Sequence, residues 1–351
     1  MNTSFSTQLE QWYESFGRDL PWRRTTDPYL IMLSEFILQQ TQIAQGMNYY
    51  LNFSERFPTA KSLAAASEEE VLRLWQGLGY YSRARNLHKA ARIIAEAGQI
   101  PRDYGFVRSL PGVGDYTAAA IMSFAFDEPY AVLDGNVQRV LSRHFGISEP
   151  VDTTKGKKLL RALADEMLDR QHPALYNQAI MDFGALHCKP TSPLCDSCLL
   201  ADTCQALHEH LVDKLPVKSK RTVVRDRYLT YIYVRTQDGK ILLHRRGSGD
   251  IWQGLYEFPM IESEKPLSMA EVEKALPFGD VRGGLQLITS NVLHQLTHQR
   301  LHADFYCLTL NHIENNATGQ WVEEVSLDRY ALPRLLEKLL NRLSVTRPPD
   351  F

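Results

Sequence analysis

Four cysteines lie within seventeen residues of this chain, and their spacing constrains the fold more than any other sequence feature. Cys188, Cys195, Cys198 and Cys204 are separated by six, two and five residues, whereas Cys307 is remote. Thiolates this close in sequence can converge on one soft metal site. Zinc sites usually combine two separated C-x2-C pairs, whereas iron–sulfur clusters accept irregular spacings. The spacing therefore predicts a metal centre, with an iron–sulfur cluster favoured and zinc as the alternative.

The length and composition predict a soluble protein of two domains. The chain has 351 residues, of which 44% are hydrophobic and 23% charged, as in ordinary globular proteins. No apolar run is long enough to span a bilayer, and the N-terminal segment lacks the pattern of a secretory signal. We therefore expect a cytoplasmic location. The net charge of -2 does not by itself indicate a nucleic-acid-binding protein, so any contact with DNA would come from a local patch.

Sequence patterns divide the chain into a helical part and a mixed part. Residues 1–215 are mostly helical in pattern, and residues 216–227 are basic, polar and without periodicity, which is typical of a linker. Residues 228–351 alternate β-forming residues around Asp238-Gly239, a hairpin signal, and end in a helical pattern. The predicted fold class is a mainly α domain followed by an α+β domain.

Capping residues mark where helices begin and end in the first part. Asp27 offers an N-cap before Pro28, and the segment YLIMLSEFILQQTQ that follows is predicted to be one helix. Ser67 and Glu70 have the spacing of a capping box. Gly98 ends a later helical pattern.

The segment LPGVG, residues 110–114, separates two helical patterns and allows only a tight turn. Gly112 and Gly114 would leave backbone N–H groups exposed at a helix N-terminus, which suits a phosphate group. Glycine also lets a DNA backbone approach closely. A simple helix–helix turn is the alternative.

Two acidic residues stand in apolar surroundings. Of the four helical neighbours of Glu35, three are apolar, namely Ile31, Met32 and Leu38. Burial raises the pKa of a carboxyl group, and a carboxyl that stays protonated near neutral pH can act as a general acid. Asp134 follows three apolar residues and precedes a glycine, and capping of the next helix is the alternative to a catalytic role.

These motifs together resemble the adenine DNA glycosylases of the MutY family, within the helix–hairpin–helix superfamily that includes endonuclease III. The matching segments follow the family's order over nearly the whole chain. In the helical part they are LPWRRTTDPYLIMLSEFILQQTQ, WQGLGYYSRARNLH, LPGVGDYTAAA, VLDGNVQRVLSR and the four-cysteine loop. In the second part, ILLHRRGSGDIWQGLYEFP is similar to the family's Nudix-like recognition domain. The resemblance implies a helix–hairpin–helix glycosylase domain with an iron–sulfur loop, followed by a Nudix-like domain.

The resemblance implies an activity, which is excision of adenine mispaired with 8-oxoguanine or guanine in base excision repair. It implies that Glu35 protonates N7 of the flipped adenine and that Asp134 stabilises the positive charge developing on the sugar, as in glycoside cleavage. It also implies that Tyr116 and Asn136 line the sugar and base and assist these acids. An aromatic ring packed on a turn and a helix-start asparagine are the structural alternatives for these two residues.

Further residues match family positions that meet DNA. Gln40 and Tyr80 match positions that enter the duplex near the lesion, where an aromatic ring can stack between bases. Trp22, Arg23 and Leu38 match positions in the adenine pocket. A buried core tyrosine and a helical-core leucine are the alternatives for Tyr80 and Leu38.

The resemblance also implies a cofactor and a partner. The four cysteines match the ligands of a [4Fe-4S] cluster. We expect this cluster to clip a loop against the DNA backbone, with Lys189 as the nearest contact. The expected substrate is double-stranded DNA carrying adenine opposite 8-oxoguanine or guanine, bound by a monomer without a membrane. No motif identifies a protein partner or a redox role for the cluster.

Several positions depart from related sequences. Bifunctional lyases of the superfamily carry a lysine that attacks the sugar through a Schiff base, and this chain has Tyr116 there. A lysine that follows the DGNV motif in some adenine glycosylases is Gln138 here. Both differences predict a monofunctional enzyme that uses water. The family's Phe-Ser-His recognition loop reads Leu296-Thr297-His298, so a hydroxyl and the histidine are retained for DNA contact while the aromatic ring is lost.

Three other functions fit the sequence less well than an adenine glycosylase. The second domain lacks the glutamate-rich magnesium-binding core of Nudix hydrolases, so we interpret it as a module that binds 8-oxoguanine rather than as a hydrolase. An endonuclease III-like lyase would need the lysine and no second domain. A non-catalytic iron–sulfur protein would leave Glu35 on an apolar face without a role. The adenine glycosylase is therefore the favoured hypothesis.

Overall fold

The chain folds into two compact units in the computed structural model. The structure describes residues 4–219, 224–278, 284–313 and 318–346. Among the described residues, 4–65 and 86–219 form the first unit, and residues 66–85 and those from 224 onward form the second.

The chain is mostly helical up to residue 208, and polar residues begin several of these helices as the sequence predicts. The Asp27 side chain accepts hydrogen bonds at the start of α2 (Pro28–Leu38). Ser67 accepts one from the backbone of Glu70 at the start of α5 (Glu68–Leu74), a helix of the second unit. Gly98 follows the last residue of α6 (Ser82–Ala97) with a φ of +85°. The helices up to the cysteine loop and just beyond it are α1 (Phe5–Phe16), α2 (Pro28–Leu38), α3 (Ile43–Arg56), α4 (Ala60–Ala65), α5 (Glu68–Leu74), α6 (Ser82–Ala97), α7 (Tyr104–Ser109), α8 (Asp115–Phe126), α9 (Gly135–His144), α10 (Thr154–Met167), α11 (Pro173–Leu186) and α12 (Gln205–His208).

One predicted helix is in fact two. The sequence predicts a single helix over residues 29–42, but α2 ends at Leu38 and α3 begins at Ile43. Gln40 has a φ of +55°, and a left-handed residue cannot continue an α-helix. The break turns the chain at one end of α2 and exposes Gln40 there.

The core of the first unit joins its first helix to later ones. Leu9 on α1, Leu141 on α9 and Tyr176 and Phe183 on α11 are each at most 2% exposed and belong to one apolar cluster. Trp12 on α1 packs edge-on against Phe183, with ring centroids 5.2 Å apart. This cluster fixes α9 and α11 relative to each other, and both helices contribute to the site described below.

A mixed sheet forms the centre of the second unit. The elements of the described residues are β1 (Arg225–Thr236), β2 (Lys240–Arg245), β3 (Tyr256–Glu257), β4 (Met260–Ser263), α13 (Met269–Ala275), β5 (Leu285–Gln295), β6 (Gln299–Leu310), β7 (Gln320–Glu323) and α14 (Arg334–Thr346). The strand order of the sheet is β3-β2-β1-β6-β5, β4 pairs with β1 and β7 pairs with β2. β1 runs parallel to β6, whereas the other pairings are antiparallel.

The central strand is buried on both faces. Tyr231 and Tyr233 pack with α14 in one apolar cluster, and Ile232 and Val234 pack with α13 in another. Successive side chains of a strand point to opposite faces, so β1 separates two cores. The predicted hairpin is confirmed, because β1 and β2 pair antiparallel and Gly239 between them has a φ of +85°.

The end of the predicted linker, 216–227, differs from the structure. Arg225, Asp226 and Arg227 belong to β1 and pair with β6, while residues 220–223 lie outside the described residues. Parallel pairing with a long partner strand overrides the basic, unpatterned sequence of these three residues. The domain boundaries themselves stay a prediction. Across the part of the chain that the structure describes, no helix has both the length and the hydropathy needed to cross a membrane.

Candidate active site

One cavity of the first unit brings together most of the residues predicted to act on the base. It has a volume of about 690 Å³ and is lined by residues of α2, α8, α9 and α11. Eight predicted residues line it, from segments spread over more than a hundred residues of sequence: Trp22, Arg23, Glu35, Leu38, Gln40, Tyr116, Asp134 and Asn136.

Glu35 lies on α2 at the wall of this cavity and is 7% exposed. Its pKa is raised to about 7, first by burial and further by the charge of Asp134. The Tyr116 hydroxyl and the Arg23 guanidinium act in the opposite direction. A large fraction of the carboxyl groups is therefore protonated at neutral pH, and the protonated form is the one that general acid catalysis requires.

Asp134 caps α9 and lines the cavity at the same time. Its Oδ1 accepts a hydrogen bond from the Val137 backbone at 2.7 Å, and its Oδ2 accepts one from the Asn136 amide at 2.8 Å. Burial raises the pKa of Asp134, whereas these hydrogen bonds lower it. The cap that the sequence offered as an alternative is thus present, and it does not remove the carboxyl from the cavity.

Asn136 links the cavity to the cysteine loop. Its Oδ1 accepts a hydrogen bond from Arg139 Nη2 at 2.8 Å, and Arg139 Nε donates to the carbonyl oxygen of Cys188 at 2.8 Å. Arg139 is 8% exposed. A buried guanidinium needs several acceptors, and here it fixes the loop that carries the first cysteine against α9.

Arg23 is held by a buried acid that sequence reasoning missed. Asp182 on α11 is 0% exposed and accepts two hydrogen bonds of 2.7 Å from the Arg23 guanidinium. It also accepts one from Arg18 Nε at 3.0 Å. Such a bidentate pair fixes the plane of the guanidinium. The available signal was the same as for Glu35, because Asp182 is flanked by apolar residues in a helical pattern.

The other predicted pocket residues lie at the wall and the edge of the cavity. Trp22 is 7% exposed and packs edge-on against Tyr50, with ring centroids 5.0 Å apart. Leu38 is half-buried and lines the cavity, as does the exposed Gln40. Leu38 is therefore not only a helical-core residue. Its side chain lines the cavity and also lies beside Gly46 of α3.

The glycine hairpin lies outside this cavity, and its two glycines differ. Gly112 has a φ of +80°, and a Cβ there would lie 2.8 Å from side-chain atoms of Phe36 and Asn86. Gly114 caps α8 with a φ of -92°, and a Cβ there would meet no atom within 4 Å. The fold itself thus requires glycine at Gly112 but not at Gly114. The DNA-binding role of both stays a prediction.

All four clustered cysteines line one small pocket and none of them is in a disulfide. Burial raises the pKa of Cys198 to about 11, and the charges of Cys188, Cys204 and Cys195 raise it further. Four partly buried thiolates repel one another, so a cationic centre between them would offset both effects. The donor set therefore fits a metal centre held by Cys188, Cys195, Cys198 and Cys204.

Beside the cysteines, Lys189 is half-buried, and its carbonyl oxygen accepts a hydrogen bond of 2.7 Å from Arg143.

In the second unit, Tyr80 and the recognition loop are in contact. The Tyr80 hydroxyl lies 2.6 Å from Thr297 Oγ1, and its ring lies 5.4 Å from the Arg83 guanidinium. Tyr80 is 46% exposed, which excludes the buried-core alternative. His298 is exposed, whereas Leu296 packs partly buried against the apolar cluster of α14. The contact between Tyr80 and Thr297 joins residues 217 apart in sequence, and no local pattern predicts it.

Comparison with known proteins gives matches to both units. The family described as HhH-GPD superfamily base excision DNA repair protein matches residues 33–166, and the NUDIX domain family matches residues 230–342. The chain is 31% identical over 345 residues to an adenine DNA glycosylase of Buchnera aphidicola subsp. Schizaphis graminum, with 96% of this chain and 98% of that protein covered. It is 43% identical over 215 residues to an adenine DNA glycosylase of Homo sapiens, with 58% and 39% covered.

A solved structure supports the same fold for the helical part. The structure of a thermostable thymine-DNA glycosylase is 30% identical, has a TM-score of 0.55, and covers 58% of this chain and 95% of its own. With the two family matches, this confirms the predicted fold class, a helix–hairpin–helix helical domain and a Nudix-like domain with a mixed sheet.

Proposed function

Because the chain belongs to the adenine DNA glycosylase family, we propose that it excises adenine mispaired with 8-oxoguanine or guanine from double-stranded DNA. The reaction is hydrolysis of the N-glycosidic bond and leaves an abasic site, as a step of base excision repair in the cytoplasm, and the enzyme acts as a monomer. The observation that carries this proposal is Glu35, a buried carboxyl with a pKa of about 7 in a cavity shared with Asp134.

The two carboxyl groups divide the chemistry between them. Glu35, in its protonated state, donates a proton to N7 of the flipped adenine and turns the base into a leaving group. Asp134, ionised and held by Val137 and Asn136, stabilises the positive charge that develops on the sugar. Tyr116, beside Glu35, helps to keep the sugar and base in place. Because position 116 is not a lysine, the nucleophile is water and no Schiff base forms.

The remaining predicted residues hold the base and the duplex. Trp22, Arg23 and Leu38 surround the adenine, and the Asp182 clamp gives Arg23 a fixed orientation. Gln40 and Tyr80 fill the duplex where the base has left it, since flipping costs stacking energy that inserted side chains offset. Backbone N–H groups at the hairpin of Gly112 and Gly114, together with Lys189, contact phosphates.

The second unit recognises the base opposite the adenine. Thr297 retains the hydroxyl that a recognition loop of this family uses, and His298 lies exposed beside it. In this unit the acidic side chains of Asp250 and Glu262 both form ion pairs with Arg227. These pairs support a binding module rather than a metal-dependent hydrolase.

The four clustered cysteines hold a [4Fe-4S] cluster. The gaps of six, two and five residues between these cysteines include only one C-x2-C pair, which supports a cluster rather than a zinc ion. A cluster would supply a rigid structural clip for the loop. Arg143 Nη1, which lies 3.5 Å from Cys188 Sγ, would offset part of the thiolate charge.

Single-turnover excision on matched duplexes tests the function. The duplexes carry adenine opposite 8-oxoguanine, guanine, cytosine or thymine. We expect fast excision opposite 8-oxoguanine, slower excision opposite guanine, and little opposite thymine. Glu35→Gln keeps the shape of the side chain but removes the acid, and we expect it to slow excision by about 10²–10⁴-fold.

The matched control is Glu55→Gln, which alters an exposed glutamate on α3. It should excise adenine at the wild-type rate. Excision by Glu35→Gln at the wild-type single-turnover rate would show that the proposed mechanism is wrong. Equal rates on all four duplexes would contradict the proposed recognition of the opposing base.

Iron analysis and a visible absorbance spectrum test the cofactor. The purified protein should contain about four iron atoms per chain and absorb broadly in the visible range. Cys198→Ser should lose most of the iron, while Cys307→Ser, outside the four-cysteine set, should retain it. One zinc and no iron would reject the cluster and leave the glycosylase proposal standing.

A further inference from the structure

A second group of side chains that could bind a metal ion lies in the first unit, and it does not line the cavity that contains Glu35, here called the adenine cavity. It consists of Glu10 on α1 and of Asp169 and His172 in the segment between α10 and α11. One ligand atom from each lies within 4.8 Å of the other two. His172 Nδ1 lies 3.3 Å from Asp169 Oδ2. Two carboxylates and an imidazole are a donor set that divalent first-row metal ions accept.

The two carboxyl groups face each other in a partly dry setting. The Oε1 atom of Glu10 is inaccessible and has no hydrogen-bond partner in the described part of the chain. The pKa of Glu10 is raised to about 7, first by burial and next by the charge of Asp169, with a smaller contribution from Glu14. Two carboxylates this close must share a proton or a cation, because both cannot stay ionised side by side.

Tyr176 provides an independent observation at the same place. Its side chain is 2% exposed, and its hydroxyl has no hydrogen-bond partner among the described residues. Tyr176 lies one turn along α11 from His172, and its backbone N–H donates to the His172 carbonyl oxygen at 3.0 Å. Burial raises the pKa of Tyr176, and the charge of Glu10 raises it further. A buried hydroxyl without a partner costs free energy, so the group is left with a polar atom that a bound ion and its water would satisfy.

We propose that Glu10, Asp169 and His172 form a binding site for one divalent first-row metal ion, with the Tyr176 hydroxyl facing the ion or its bound water. The site is distinct from the four cysteines in ligand chemistry. Carboxylate and imidazole suit Mn²⁺ or Zn²⁺, whereas thiolates select softer centres.

The surrounding backbone makes the site rigid. Asp169 Oδ1 accepts a hydrogen bond of 2.7 Å from the backbone of Gln171, and Oδ2 lies 3.3 Å from His172 Nδ1. A bound ion would cross-link α1 to the start of α11. Because α1 also carries Tyr13, whose hydroxyl binds Gln178 in the wall of the adenine cavity, the cross-link would stiffen that wall.

Metal titration of the full-length protein with its native cofactor tests this site. Free Mn²⁺ is measured by electron paramagnetic resonance at room temperature, and Zn²⁺ is titrated separately by calorimetry. We expect one equivalent of at least one ion to bind saturably and to raise the thermal midpoint. Glu10→Gln and His172→Ala should each weaken binding at least tenfold and abolish most of that rise.

Glu55→Gln is the matched control, because Glu55 is an exposed glutamate on α3. It should bind the ion as the wild type does. His172 is an exposed side chain, so His172→Ala keeps the test informative even if Glu10→Gln folds poorly. Saturable binding of neither ion, or binding that is unchanged in both Glu10→Gln and His172→Ala, would overturn the proposal.

Discussion

The acidity of the two carboxyl groups in the adenine cavity depends on the residues that surround them. Burial raises the pKa of Glu35 to about 7, although the Tyr116 hydroxyl and the Arg23 guanidinium favour its ionised form. Asp134 is also buried, but it accepts hydrogen bonds on both oxygens, and these favour its ionised form. The proposed mechanism gives these two carboxyl groups different roles, with Glu35 as the acid and Asp134 as the charged stabiliser.

The pH dependence of excision follows from this separation. Since Glu35 acts in its protonated state and its pKa is about 7, the single-turnover rate should fall about tenfold per pH unit well above pH 7. Since Asp134 acts in its ionised state and its pKa is raised by burial, the rate should also fall towards acid pH. Rates measured from pH 5 to pH 9 check both limbs. In Glu35→Gln the rate should no longer fall above pH 7. If the rate of that variant still falls there as in the wild type, a group other than Glu35 causes the fall.

The sequence could reveal individual acids but not their partners. Glu35 is recognisable because its helical neighbours are apolar, and the structure places it in a cavity with Tyr116 and Asp134. Asp182 carries a similar local signal, but its role depends on Arg23, which is 159 residues away. Long-range pairs of this kind are set by how α1, α2 and α11 pack, and no local pattern contains that information.

At the scale of elements, the turns between helices decide the shape of the site. The pattern of residues 29–42 is continuous in its hydrophobicity, so it predicts one helix, whereas the structure breaks it at Gln40. Backbone conformation at one non-glycine residue is decided by tertiary packing rather than by local preference. By contrast, capped starts such as Asp27 and the hairpin at Gly239 were predictable, because the residues that stabilise them are adjacent in sequence.

The glycine hairpin gives a prediction in which two neighbouring substitutions differ. Gly112→Ala combines a left-handed φ with close contacts to Phe36 and Asn86, and we expect it to lower the free energy of unfolding by about 1–3 kcal/mol. Gly114→Ala has open space and an ordinary φ, and it should cost less than about 1 kcal/mol. Urea unfolding of both variants measures this difference.

Gly114→Ala then separates fold from DNA contact. If backbone groups at this helix start bind a phosphate, an added methyl group should weaken duplex affinity while leaving stability nearly unchanged. Equal affinity of Gly114→Ala and the wild type for a mispaired duplex, measured at fixed salt concentration, would remove Gly114 from the proposed DNA surface.

At the scale of the whole molecule, the proposed function assigns the chemistry and the recognition of the opposing base to different units. The cavity with Glu35 and the cysteine pocket are lined by residues of the first unit, while Thr297 and Tyr80 belong to the second. The net charge of -2 gives the chain no general attraction for DNA. Binding therefore depends on local backbone donors and on specific contacts, and discrimination between opposing bases should respond to changes in the second unit alone.

Removal of the Thr297 hydroxyl tests whether the second unit alone controls discrimination between opposing bases. Thr297→Val keeps the shape of the side chain but removes the hydroxyl, and it also removes the hydrogen bond with Tyr80. Loss of one such bond is worth about 1 kcal/mol, so we expect the preference for 8-oxoguanine over guanine to fall about fivefold. The rate opposite guanine should change little, since Glu35 and its cavity are untouched.

Two further variants separate the base contact from the contact with Tyr80. Thr297→Ser keeps a hydroxyl and should retain the preference of the wild type. Tyr80→Phe removes the partner hydroxyl but leaves Thr297 Oγ1 free to bind the opposing base, so the preference should persist in that variant as well. A loss of preference in Tyr80→Phe equal to that in Thr297→Val would show that the hydroxyl acts by positioning Tyr80. A loss confined to Thr297→Val would assign the hydroxyl to direct recognition of the oxidised base.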